Sequence, residues 1–447
     1  MKKILLVCLW LASASAWGQT ALDEANTAYR NQDYVTAAKG YKAAAAQGSA
    51  VAQFNLATMY SNGQGVEQDY AEAVKLFQLA AAQGNAGARY NLGTMYSNGQ
   101  GVAKDFVEAV KWFRLAAAQG NAAAQFALGR RYRRGEGVEQ NYAEAVKWFR
   151  LAAAQGNPEA QYGLGFMYDN GQGVAQDYAE AIKWYRLAAE QGNIAAQSDL
   201  GSMYDNGQGV AQNYAEAMKW YRLAAAQGDA VAQYKLGQMY HLGKGVAQDY
   251  AETLKWYRSA AAKGIVAAQS QLGLMYDNGQ GTAQDDVEAV KWFRLAAAQG
   301  DAKAQSGLGL KYHNGRGVPQ DYAEALRWYR LAAAQEDAFA QYSLGMMHFV
   351  GRGVPQDYAE ALKWSRLAAA QGQAFAQNNL AVMYADGKGV AQNLQKAHMW
   401  FGFAAVSGYP AAAQGRDGIA KRLTTPQLAE AEKMARDCQA SNFKNCD

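Results

Sequence analysis

The residues with chemistry to offer are few. His241, His313, His348 and His398 are the only histidines in 447 residues, and none lies within eight positions of another. A catalytic or metal site needs donors that converge. His241 and His313 occupy equivalent places in an internal repeat but sit two copies apart, so no metal site and no cofactor are expected. Ser441-Asn442-Phe443-Lys444 matches the S-x-x-K pattern of penicillin-binding enzymes, but it falls in a short tail without the companion motifs. No P-loop, zinc-protease or nucleophile-elbow pattern occurs. The sequence therefore points away from catalysis.

Charge excludes another class. Lysine and arginine number 43 against 39 acidic residues, a net of +4. A nucleic-acid binder would carry a strong basic excess. Arg130, Arg131, Arg133 and Arg134 form the one local basic cluster, a candidate docking point for an acidic partner. Its alternative role is to complement a helix C-terminus.

The first residues read as an export signal. Met1-Lys2-Lys3 is followed by an apolar run from Ile4 to Leu11, too short to span a bilayer. Ala14-Ser15-Ala16 then supplies small residues for cleavage near Ala16 or Gly18. Residues 1–18 are expected to be removed, leaving a periplasmic or secreted protein with no membrane span. Cys8 departs with the leader. Cys438 and Cys446 remain, and an even count in an oxidising compartment predicts a disulfide.

What must position any site is a repeat. Gly63-Gln64-Gly65-Val66 returns at Gly99, Gly135 and onward to Gly387, ten copies at a spacing of 36 residues. Each copy carries two apolar patterns of helical period. In the second copy these are Ala88, Leu92, Met95 and Tyr96, then Phe106, Val110, Phe113 and Ala117. We call the two helices A and B. Asn85 and its equivalents cap helix A, and Asp105-x-x-Glu108 is expected to open helix B as a capping box. Gly84 and its equivalents end helix B in a left-handed turn. Glu336 is the one departure, and the same backbone there predicts strain.

These features predict an all-α superhelical solenoid of helix-turn-helix units. Residues 19–48 form a shorter tetratricopeptide-like hairpin, residues 49–408 the ten repeats, and residues 409–447 capping helices with the cysteine tail. Nine tryptophans, Trp112 through Trp400, fill one column of helix B, with Leu76 in the first copy. Such a column is expected to be core between repeats.

The consensus Ala-x-x-x-Leu-Gly-x-Met-Tyr-x-x-Gly-x-Gly-Val-x-x-Asp-Tyr-x-x-Ala-x-x-Trp-x-x-x-Ala-Ala-x-x-Gly resembles the Sel-one-like repeat, a relative of the tetratricopeptide repeat. The resemblance covers about residues 20–410. It implies an α/α solenoid that serves as a scaffold or adaptor for a protein or peptide partner, with helix A lining the concave side. One exported branch of the family carries a cysteine pair in each repeat and is associated with β-lactam binding or hydrolysis. That is the alternative function, and no full repeat here contains cysteine.

Function is expected where copies differ. The columns of Gly87, Asn91, Thr94 and Asn98 vary freely and share one face of helix A, being spaced i, i+4, i+7 and i+11. Towards the end this face turns apolar. Leu274, Leu310, Met346 and Val382 succeed one another in one column, Phe339 and Phe375 in a second, and Val350 joins them. A contiguous apolar strip marks an interface, here for an apolar peptide or helix anchored by Phe339 and Phe375. The C-terminal helices folding back over it is the competing expectation.

Overall fold

The computed structural model describes residues 21–441, 443 and 446. The expected leader lies outside these residues. The fold is all-α, a solenoid of paired helices with no strand among the described residues. Packing divides the chain into two units, the first ending at Asp229 and the second beginning at Ala230.

In the first unit, residues 21–30 and Tyr34–Ala46 form the short opening hairpin. Five hairpins follow, from Ala50–Asn62 with Tyr70–Ala82 to Ile194–Asn206 with Tyr214–Ala226. The second unit also holds five, from Ala230–Leu242 with Tyr250–Ala262 to Ala374–Asp386 with Leu394–Val406. It closes with Ala411–Ala420 and Thr425–Ala440. Cys438 and Cys446 are disulfide-bonded, their Cα atoms 4.7 Å apart.

The turns follow from local chemistry. Asn85 Oδ1 accepts from the Ala88 amide at 2.9 Å, satisfying one open donor of helix A. Between helices the chain turns through Gly99 and Gly101, at φ 73° and 70°. Gly101 is doubly constrained, because a Cβ there would stand 2.3 Å from the Tyr70 carbonyl oxygen of the preceding repeat. No other residue fits.

Helix B departs from expectation at its start. Asp105 Oδ1 accepts from the Val107 and Glu108 amides at 2.8 and 3.0 Å. The return half of a capping box is missing. The Asp105 N–H already donates to the Tyr96 carbonyl at 2.9 Å, so Glu108 turns outward and accepts from Lys111 at 2.7 Å. That exposed pair contributes at most a few tenths of a kcal/mol. The return bond does form at the final helix, where the Thr424 N–H donates to Gln427 Oε1 at 2.9 Å.

Glu336 keeps the geometry that glycine has elsewhere, at φ 64°. A side chain in the left-handed region costs about 1 kcal/mol relative to glycine. Glu336→Gly is therefore expected to raise the thermal midpoint slightly, as followed by circular dichroism. A lower midpoint would show that the glutamate side chain contributes more than the backbone strain removes.

Small residues let the helices approach. In the second repeat, Ala88, Leu92 and Met95 of helix A and Ala109, Val110, Phe113, Ala116 and Ala117 of helix B are buried. Gly93 allows the contact, since a Cβ there would come within 2.6 Å of the Phe113 ring. The tryptophan column corrects our expectation. Trp220 and Trp400 are buried, but the other seven are half-buried. The Nε1 groups of Trp184, Trp256 and Trp328 donate to the glutamate four residues earlier at 3.0–3.2 Å. A column can be fixed by packing one face of a large ring, without full burial.

Buried glutamines stitch one repeat to the next. Gln125 Nε2 donates to the Ala117 carbonyl at 3.3 Å, and its Oε1 accepts from Gln155 at 2.7 Å. The same pattern recurs at Gln161 with Gln191 and at Gln341 with Gln371. Each of these helix B carbonyls also accepts the amide three residues on, so the glutamine adds a second bond that ties the next helix A to the end of helix B.

Candidate binding face

With Leu92 and Met95 turned into the core, the columns of Gly87, Asn91, Thr94 and Asn98 are left on the accessible side of helix A. This face differs in character along the chain.

In the second unit it is apolar and aromatic. Phe339 is 37% exposed, Phe375 50% and Val350 44%, whereas Leu274, Leu310, Met346 and Val382 are half-buried. The rings form a continuous series. Tyr329 meets Phe339 at 6.3 Å between centroids, Phe339 meets Tyr342 at 6.4 Å, and Tyr342 meets Phe375 at 5.9 Å. Leu310, Tyr329, Phe339, Tyr342, Met346 and Val350 line one cavity of about 290 Å³. Leu274 and Val382 do not line it. Phe375 touches Tyr409 at 5.0 Å, just before the C-terminal helices, yet half its surface stays open. Those helices do not bury the strip.

Sequence reasoning missed Tyr342 and Tyr409. Tyr342 lies in an aromatic column that usually packs within the repeat, as Tyr90 does on Phe113 at 5.8 Å. In this repeat Ser365 takes the place of Phe113, and Tyr342 packs instead on Phe375 of repeat ten, bridging two repeats.

In the first unit the face is charged. The arginine cluster divides in two. Arg131 is tied to Glu136 and lies over the Phe106 ring, 4.4 Å from its centroid. Arg134 reaches the same Glu136 at 3.7 Å. Arg131 stands in the methionine column of helix A, so both it and its partner are structural. Arg130 is exposed beside Phe126, and Arg133 lies over Phe166 at 5.1 Å. These two are the arginines of the cluster not tied to Glu136. Burial pushes the Arg133 guanidinium below its ordinary range, with Arg134 and Arg130 adding repulsion.

Repeats four and five carry acids instead. Asp199 is pushed up to about 6, chiefly by burial, against a lowering hydrogen bond from Tyr162. Asp169 is also raised by burial. The Tyr185 hydroxyl donates to Asp169 Oδ2 at 3.3 Å, and the Tyr162 and Tyr185 rings lie 5.6 Å apart.

Elsewhere the candidate donors stay apart. His241 and His313 pack edge-on against Tyr250 and Tyr322, at 5.5 and 5.3 Å. Burial and the nearby Arg352 hold His313 below its ordinary value. Among the described residues, no three His, Cys, Asp or Glu side chains converge as metal ligands. No helix among them is long and apolar enough to cross a membrane.

A stack of α-hairpins with a variable helix A face defines a repeat-type α-solenoid. The Sel1 repeat model matches ten consecutive segments, from residues 50–85 to residues 374–409. The chain belongs to the Sel1 repeat family, whose members are in general protein-interaction scaffolds. It is similar to c5321, a protective antigen of uropathogenic Escherichia coli strains that displays an SLR fold. That match has 35% identity and a TM-score of 0.86, covering 98% of this chain and 96% of that one. A Sel1 repeat protein from Oxalobacter formigenes also matches, at 35% identity and TM-score 0.54, covering 69% of this chain and 90% of that one. No curated protein matches.

Proposed function

We propose that this chain is an exported, non-catalytic scaffold that holds an apolar peptide or helix of a partner protein against helix A of repeats seven to ten. The observation that carries this is the strip of half-exposed rings centred on Phe339 and Phe375. Exposed aromatics with rigid neighbours offer large contact area at small entropic cost. The cavity beside Phe339 would take one aliphatic or aromatic side chain of the partner. Arg130 and Arg133 would add a weaker, salt-sensitive contact to an acidic segment. The basic start, short apolar run and Ala14-Ser15-Ala16 support export to the periplasm or beyond.

Position-specific crosslinking tests the reading. A photoreactive residue placed at Met346 is expected to capture a discrete partner from a periplasmic extract. The same residue at Leu295, exposed on helix B, is expected to capture none. Equal capture at both positions, or turnover of nitrocefin by the purified protein, would contradict it.

A further inference from the structure

The cavity beside Phe339 is not walled by apolar groups alone. His313, Asn314 and Arg352 also line it, and Arg352 is the one charged side chain among the lining residues. Burial and the nearby Arg352 hold the His313 imidazole below its ordinary value, so it adds no positive charge at neutral pH.

The position of Arg352 has a history along the chain. It stands two residues after Val350, in the middle of the Gly-x-Gly turn that follows helix A. That position is Gln or Glu in repeats one to five, whereas Lys244, Arg316, Arg352 and Lys388 fill it in the second unit. Basic residues thus enter this column only in the unit whose helix A face is apolar. Arg316 lies 3.1 Å from Asp286, and Lys388 lies 3.0 Å from Asp386. Arg352 is exposed and meets no carboxylate among the described residues.

An apolar segment seated on Phe339 and in the cavity would strip water from the Arg352 guanidinium. Dehydrating a cation without a counter-charge costs free energy, and a carboxylate brought by the segment recovers it. The same contact sets specificity, because a segment carrying lysine at that point is repelled.

We propose that the partner segment carries an aspartate or glutamate beside its apolar anchor, and that this carboxylate pairs with Arg352. The inference rests on the proposed use of the helix A strip and adds the charge of its occupant.

The test is panning of a displayed random dodecapeptide library against the full chain, then fluorescence anisotropy with the most enriched peptide. Enriched sequences are expected to hold Asp or Glu within about four residues, one helical turn, of an aromatic or aliphatic anchor. Arg352→Glu is expected to weaken that peptide about fivefold or more at low salt. A version of the peptide with lysine in place of its acid should recover most of this loss against the variant. Arg327→Glu reverses an exposed arginine on helix B and is expected to change affinity less than about twofold. Anchors enriched without acids, equal losses in the two arginine variants, or no recovery by the lysine peptide would overturn the inference. Phe339→Ala with Phe375→Ala reads the parent proposal separately. A peptide that needs both rings but ignores Arg352 would sink the charge assignment alone. One that needs neither ring, or a library that yields none, would sink both.

Discussion

Asp277→Ala combined with Asp286→Ala is expected to destabilise the protein by about 3–5 kcal/mol, because it strands a buried ammonium. Lys311 occupies the column where Met59, Met95 and Met347 are buried, and its side chain is only 2% exposed. Its Nζ donates to Asp277 and, at 2.6 Å, to Asp286. Arg316 completes the cluster, 3.1 Å from Asp286. Asp286 itself stands where the other copies carry Tyr, Phe or, in the tenth, Leu394, so two departures from the repeat answer one another. Replacing both at once, Lys311→Met with Asp286→Tyr, restores the common residues and should be near neutral or stabilising, as for other buried pairs exchanged for apolar groups.

Acid dependence gives a second handle on this cluster. Burial alone would raise the Asp286 carboxyl, but hydrogen bonds from Lys311 and Arg316 outweigh it and hold the group below its ordinary value. A carboxylate depressed in the folded state stabilises above its unfolded pKa, about 4, and that contribution is lost as pH falls through the lower folded value. Urea midpoints of the native chain should therefore drop more steeply between pH 5 and 3, on the order of those values, than midpoints of the Met–Tyr variant. Parallel curves would show that the cluster contributes nothing.

Phe339→Ala with Phe375→Ala is expected to weaken partner binding by about 2 kcal/mol or more, roughly thirtyfold in affinity. The rings are 37% and 50% exposed, so their removal leaves no large cavity and helicity should persist. The loss would come from two anchors and from Tyr342, which packs between them and would lose both neighbours. Leu295→Ala with Leu331→Ala removes comparable exposed area from helix B and is expected to leave affinity unchanged.

The repeat was legible because every local signal recurs every 36 residues, so caps at Asn85 and turns at Gly99 and Gly101 reinforce one reading. The apolar strip was legible for the opposite reason, as a drift in columns that the architecture leaves free. Three features escaped for physical reasons. A constant column does not report depth, and seven of the nine tryptophans are only half-buried. Glu108 has the right spacing for a capping box, but the Tyr96 carbonyl claims the Asp105 amide across the loop. Lys311, Asp277 and Asp286 are 34 and 25 residues apart, and only stacking of neighbouring hairpins brings them together. The glutamine stitching was visible as a repeated residue type, yet its partners, a helix B carbonyl of the same turn and a glutamine 30 residues on, appear only when hairpins stack.

Hydroxyl-radical footprinting of the full chain, alone and with the partner captured at Met346, tests the central claim most directly. Phenylalanine and methionine side chains report their own accessibility, independent of any mutation. Protection of Phe339, Met346 and Phe375, with Leu295, Leu331 and Leu367 on helix B unchanged, is the predicted result. Unaltered oxidation of the three strip residues beside protection of the helix B leucines would contradict the account and place the partner on the other face.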